Sequence, residues 1–287
     1  MQIGIGLPAT IPGVSGSDVV DWAKAAESHG FASLGVIDRL VYGNHEPLVT
    51  LGAAAAVTER IKLTTSVLVV PMRAHAALLA KQASTVDRLS GGRLTLGMAV
   101  GGYADDYAAS EVPFARRGRR FDQMLGEMMR IWAGESRGFA GAIGPSSGLD
   151  RSRLVFGGMS APTYRRVATI GAGWIAGSRG VDTFTRGAAE VRRFWAEHDR
   201  AGAPWLLALP YFCLGPRARD DATRLLTDHY AIEGPETAEQ MAARALTDVD
   251  ALREAVAAYE AAGCDELILY PCSPDPQQVR LLADAVG

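Results

Sequence analysis

The sequence is short of the residues that announce a simple chemistry. Its three cysteines, Cys213, Cys264 and Cys272, lie late and far apart, without the spacing of a zinc site or the density of a disulfide scaffold. Free thiols fit a reducing compartment, so the cytoplasm is the expected location. No stretch approaches the roughly 18 apolar residues that cross a bilayer. The opening MQIGIGLP reads as a strand, without the basic flank and long apolar core of a signal peptide. Lys+Arg 29 against Asp+Glu 32 gives a net charge of -3, which offers nothing to nucleic acid or to an anionic membrane. Gly-x-Ser-x-Gly, His-Glu-x-x-His and P-loop motifs are absent, so nothing points to a nucleophile, and no metal site is expected. No polar linker splits the chain, and residues 1–287 are expected to form one domain.

What the chain does have is an organising stretch from Arg60 to Gly102. An apolar run, Ile61 to Val70, stops at Pro71; a helical pattern from about Ala74 places Leu78, Leu79, Gln82, Ala83 and Val86 three or four apart; Ser90-Gly91-Gly92 ends it. A second apolar run, Arg93 to Val100, then meets Gly101-Gly102. Strand, helix, strand is a βαβ unit with parallel strands, and near-continuous apolar runs suit strands covered on both faces.

The pattern repeats along the chain. Strands are expected at Gln2–Leu7, Phe31–Ile37, Ile61–Val70, Leu94–Val100, Leu154–Phe156, Gly173–Ala176, Trp205–Leu214 and Asp265–Tyr270. Helices are expected between and after them, the first capped by Ser17 or Asp18, the later ones near Arg116–Trp132, Arg217–Ile232 and Asp248–Ala262. Gly101–Pro113 and Glu135–Arg151 read as loops. Eight strands, each followed by a helix, make a (β/α)8 TIM barrel, whose ligands sit on the loops after the strands.

That rule selects the candidate site. In FGGMSAPT, Phe156 to Thr163, a strand runs into two glycines and a helix starts near Ser160. Helix-start amides, close backbone approach and two hydroxyls suit a phosphate; the same residues also suit a tight βα turn with Ser160 as N-cap. Gly101-Gly102 leaves room for a flat group, or serves as a hinge. Asp105, Asp106 and Glu111 could bind a metal or act as a base, though acids in such a loop are more often simply solvated. The Arg116 to Arg120 cluster could hold a polyanion; it occupies a helix N-terminus, where cations do not help stability, and that placement points to function as much as to structure. His45, in the loop after the second strand, is the histidine best placed for proton transfer. Arg39 and Tyr103, in the loops after the second and fourth strands, join it as candidate catalytic residues. His75 begins a helix near the site, while His29, His198 and His229 fall in helices and read as surface residues.

Four segments then resemble the bacterial luciferase-like superfamily of flavin- and deazaflavin-dependent oxidoreductases: TERIKLTTSVLVVP with LAKQASTVDRLSGGRLTLGMAVG; EVPFARRGRRFDQMLGEMMRIWAG; LVFGGMSAPTYRRVATIGAGW; and AAGCDELILYP. The resemblance implies a luciferase-like barrel with a bulge and a non-proline cis peptide at Ser66–Val67, beside Leu68 and Val69. It implies a ring edge meeting Asp38, Val100 and Gly101, with Asp105 nearby, and a phosphate on Gly157, Gly158, Met159, Ser160 and Thr163. The sequence departs from the superfamily's sugar-phosphate dehydrogenases: Arg39 stands where they carry a His, and Gly102 where they carry a Glu. Sugar-phosphate oxidation is therefore not expected.

Three functions are carried forward. The first is hydride transfer from reduced coenzyme F420 to a small unsaturated or imine-like substrate. The second is an FMN-dependent monooxygenase served by a separate flavin reductase. The third is a barrel that only binds a ligand. The loop after the seventh strand is expected to be compressed around Pro216, leaving the pocket open or completed by a partner subunit. A homodimer is expected, with the apolar segments Trp22–Ala26 and Pro47–Val57 as the interface.

Overall fold

A computed structural model describes residues 1–287. Parallel strands β1 (Gln2–Gly6), β2 (Ser33–Val36), β3 (Lys62–Val69), β4 (Leu94–Ala99), β5 (Leu154–Gly157), β6 (Gly173–Ala176) and β7 (Trp205–Ala208) pair in order. The last full strand, β9 (Glu266–Pro271), pairs with both β7 and β1, so the sheet closes into the expected eight-stranded barrel. The register at closure runs from Gln2 opposite Glu266 to Ile5 opposite Leu269.

The helices are α1 (Gly16–Ser28), α2 (Pro47–Val57), α3 (Ala76–Leu89), α4 (Ala104–Ala109), α5 (Arg117–Trp132), α6 (Ala161–Ile170), α7 (Val181–Glu197), α8 (Ala218–His229), α9 (Pro235–Ala243), α10 (Val249–Ala261) and α11 (Gln277–Val286). The cap of α1 is Ser15, not Ser17 or Asp18. Its hydroxyl accepts from the Asp18 N–H while Asp18 accepts from the Ser15 N–H, a reciprocal capping box. No helix is long and apolar enough to cross a membrane.

The expected seventh strand, Trp205–Leu214, is broken. Pro210 has no N–H to give the ladder, and the chain re-pairs as a two-residue strand β8 (Tyr211–Phe212) against Tyr270 and Pro271. After it comes no compressed loop. Helix α8, a turn at Ala231–Glu233 and helix α9 form an excursion before α10 resumes the barrel pattern. Helix α9 was marked in the sequence by Gly234, here at φ +93, with Pro235 at the first helical position. Gly101–Pro113 likewise contains α4 rather than pure loop.

Interior positions mix bulk with a few polar groups. Tyr270, fully buried, fills the barrel axis under the strand ends and its hydroxyl bonds the Ser66 hydroxyl. Toward the amino ends, Ser33 donates to the buried carboxylate of Glu266, whose other oxygen, Oε2, has no partner. Trp22, Ala23 and Ala26 pack into the chain's own core, so α1 does not present them as an interface; Val49 on α2 stays 70% exposed.

Burial raises the Glu266 carboxyl above its ordinary 4.5, against the lowering by Ser33 and Lys62. The folded state then binds a proton more readily than the unfolded chain, so stability falls as pH rises above about 4.5. Glu266→Gln is expected to raise Tm at pH 8 and to lose that advantage toward pH 4, measured by thermal unfolding across pH; a Tm gap independent of pH would contradict it.

Candidate active site

A cavity of about 310 Å³ opens at the carboxyl ends of the strands, a volume typical of small-molecule pockets. Its floor is the end of β3. The Ser66–Val67 peptide is cis, and the β3–β4 register shifts by a residue between Thr65 and Leu68, as the resemblance implied. Ser66, Val67 and Val69 line the cavity, while Leu68 is fully buried in the core. Gly101 faces Val69 at φ +66, and a Cβ there would lie 2.7 Å from the Val69 side chain, so only glycine fits. The neighbouring Val100 is not on the wall; its carbonyl accepts the Tyr107 hydroxyl.

Asp38, at the end of β2, holds this floor in place. Its carboxylate is buried, accepting from the Val69 N–H at 2.8 Å and from Arg73 Nη2 at 2.7 Å. Burial outweighs these partners and raises its pKa to about 6. Arg39 follows, also buried and on the wall. Its guanidinium lies 4.0 Å from the centre of the Tyr103 ring and pairs with Asp106 at 3.3 Å and Asp105 at 3.4 Å. An arginine does not exchange protons, so Arg39 is no acid or base; it supplies fixed charge and orientation. Asp105 is spent on Arg39 and does not line the cavity. Asp106 also accepts the Leu40 and Val41 amides, tying the loop after β2 to α4. Tyr103 does line the cavity, but its hydroxyl donates to Glu233 Oε1 at 2.9 Å, and burial pushes its pKa well above the usual phenol range.

The turn after β5 brings Gly157, Gly158 and Met159 to the wall. Gly158 has φ +122, and a Cβ there would sit 2.9 Å from Thr163 Oγ1. Ser160 occupies the N-cap position of α6 but does not cap it. Its hydroxyl meets Thr163 Oγ1 at 3.1 Å, leaving the Ala161 and Thr163 amides without a protein acceptor. Ser160 is exposed and Thr163 buried, both just outside the cavity wall. An open helix start behind a glycine turn suits an anion.

The roof comes from the excursion after β8. His229 at the end of α8, then Tyr230, Glu233 and Met241, all line the cavity. Glu233 spans the mouth, accepting from Tyr103 and, at 2.7 Å, from Arg179 in the loop after β6. His229 is 7% exposed, sits edge-on to Tyr42 and Tyr230 with both centroids 4.9 Å away, and makes no hydrogen bond to protein. Burial, assisted by Arg39, lowers its pKa to about 4, so the imidazole is neutral at ordinary pH.

Residues 1–280 match the profile described as luciferase-like monooxygenase. The chain belongs to that family. An uncharacterised protein of Mycobacterium tuberculosis is 32% identical over 173 residues, 57% of this chain and 61% of that protein. An F420-dependent glucose-6-phosphate dehydrogenase of Beutenbergia cavernae is 34% identical over 143 residues, 47% of this chain and 42% of its own. The chain thus spans less than two thirds of these curated relatives. Among solved structures, an F420-dependent secondary alcohol dehydrogenase bound to an F420–acetone adduct superposes with TM-score 0.81 at 15% identity, covering 99% of this chain and 98% of that one. The oxygenating constituent of 3,6-diketocamphane monooxygenase from Pseudomonas putida, bound to FMN, gives 0.75 at 17%, covering 100% and 98%. At these identities the likeness is one of fold.

Within this luciferase-like barrel, two histidine expectations reverse. His45 is exposed and off the cavity; its Nε2 contacts the Val14 carbonyl at 2.9 Å, stapling two loops together. His229, expected on the surface, is on the wall. What marked it was its place, followed by Tyr230, at the end of the helix after the seventh strand. The arginine cluster is largely structural: Arg120 clamps the carbonyls of Pro71, Arg73 and Ala74, and Arg117 lies over Phe114.

His45→Ala is expected to cost about 1 kcal/mol of stability, the worth of one hydrogen bond, without changing ligand affinity at the cavity. Chemical denaturation beside a binding titration checks this, and a large affinity loss would return His45 to the site. His229, neutral when folded, must lose stability as pH falls from 6.5 toward about 4. In His229→Gln that part of the acid sensitivity should vanish, read from Tm against pH; an unaltered profile would place the ring in water.

Proposed function

We propose that the protein is an oxidoreductase that uses reduced coenzyme F420 to reduce a small unsaturated or imine-like substrate. The observation that carries this is the joined geometry of one cavity. A flat apolar floor, Val67 and Val69 against Gly101, lies beside an open helix start behind Gly157-Gly158. Such a cavity has a face for a planar ring and a seat for a phosphate tail. Relatives that carry F420 in their names support the choice of coenzyme.

The coenzyme, when bound, supplies the hydride. The chain supplies the rest. Val67, Val69 and Gly101 would hold the ring, and Gly157, Gly158, Ser160 and Thr163 the phosphate. Tyr103, Glu233 and Arg179, bonded across the mouth, limit the access of water. Neutral His229, without a protein partner, has one N–H to aim at an acceptor atom of the substrate and so orient it. Arg39 and Gly102 stand on the wall at the two positions where the sugar-phosphate enzymes carry their His and Glu, and the wall's own His229 and Glu233 come instead from the excursion after β8.

Titration of the purified chain with F420 and with FMN, followed by fluorescence, tests the reading. F420 should bind more tightly than FMN, and Gly158→Asp, which places a carboxylate at the phosphate seat, should weaken it by tenfold or more while circular dichroism reports a retained fold. Preferential FMN binding would favour an oxygenase served by a separate reductase, and binding of neither would leave a ligand-binding barrel.

A further inference from the structure

A second cavity, of about 460 Å³, adjoins the first and shares Ser178, Arg179, Thr183, Tyr211 and Met241 with it. It lies between the start of α7 and α9. Two of its arginines have no carboxylate partner. Arg186 reaches only Thr183 Oγ1, at 3.2 Å, and Arg244 only the Met241 sulfur, at 3.9 Å. Arg179 is neutralised by Glu233. The single acid on this wall is Asp182. Into the same space runs the start of the 17-residue helix α7, whose cap position is Gly180 at φ +88, with no side-chain cap. The amides of Val181, Asp182 and Thr183 find no acceptor in the protein. Two guanidinium groups without a carboxylate partner, both on solvent-exposed side chains, and an uncapped helix start therefore border one half-open cleft, and both attract the same sign of charge.

We infer that this second cavity is an oxyanion subsite, which takes a carboxylate or phosphate group of the substrate while the reacting part of the same molecule lies over Val67 in the first cavity. The inference rests on the function proposed above and names its substrate class: a small molecule with an anionic group set apart from the reducible bond. The subsite is separate from the α6 turn assigned to the coenzyme phosphate, since the two lie on different helix starts. Thr183 and Tyr211, common to both cavities, form the passage between them.

The test is calorimetric titration of the full chain with inorganic phosphate and with glutarate at low ionic strength, for the wild type and for R186Q/R244Q, with F420 titrated into both. Saturable binding of phosphate or glutarate that weakens tenfold or more in the double variant, with F420 affinity unchanged, supports the subsite; the preferred probe tells phosphate from carboxylate. Absence of saturable binding by the wild type, or equal binding by the variant, overturns it. Loss of F420 affinity in parallel would give the anion to the coenzyme and overturn the substrate assignment. If the wild type fails to bind F420 but binds the anion through these arginines, the subsite stands and the oxidoreductase reading falls.

Discussion

The buried carboxylate of Asp38 is the constraint on which the cavity depends. It joins the end of β2 to the bulged end of β3 by accepting the Val69 amide, and it draws Arg73 in from the following loop. A bulge leaves backbone groups out of the regular ladder, and an unpaired amide at that depth is costly. Asp38 satisfies one such amide and in doing so fixes where Val67 and Val69 present their side chains. The carboxyl is itself strained electrostatically: burial raises it to about 6 even with an arginine at 2.7 Å. Position is obtained at the expense of stability, a familiar trade at functional sites.

The same logic extends around the mouth. Arg39 is buried and therefore needs anions, which Asp105 and Asp106 provide, and its flat guanidinium lies against Tyr103. Tyr103 in turn is held by Glu233, and Glu233 by Arg179. This chain of contacts runs from the loop after β2, through the loop after β4 and the turn after α8, to the loop after β6. The elements are distant in sequence, and each makes the next one's position definite. Beside it sit Tyr230 and His229; burial lowers the His229 pKa to about 4 and so keeps the imidazole neutral at ordinary pH, where it can donate a hydrogen bond without introducing charge.

Much of the barrel was legible along the chain. Apolar runs of strand length, each closed by glycine, proline or a polar turn, marked every full strand, because strands covered on both faces cannot hide their composition. The two glycine turns at the cavity were legible as turns for a related reason: Gly101 and Gly158 occupy backbone conformations that other residues resist, so their identity reports local geometry. The excursion after β8 was not legible as a roof. Helices α8 and α9 are amphipathic like any surface helix, and periodicity reports that a face is covered without saying what covers it.

The order of strands and helices, the parallel sheet, and the glycine turns at the strand ends were determined by the sequence itself, since they follow from local hydrophobic period and backbone freedom. Which polar side chains meet was decided only in three dimensions. His45 and His229 look alike as letters; one ring staples two surface loops and the other lies neutral against the cavity, because chain closure carried the end of α8 over the mouth. Burial and partnership, which set charge state and role, are properties of that assembled neighbourhood, not of any segment within it.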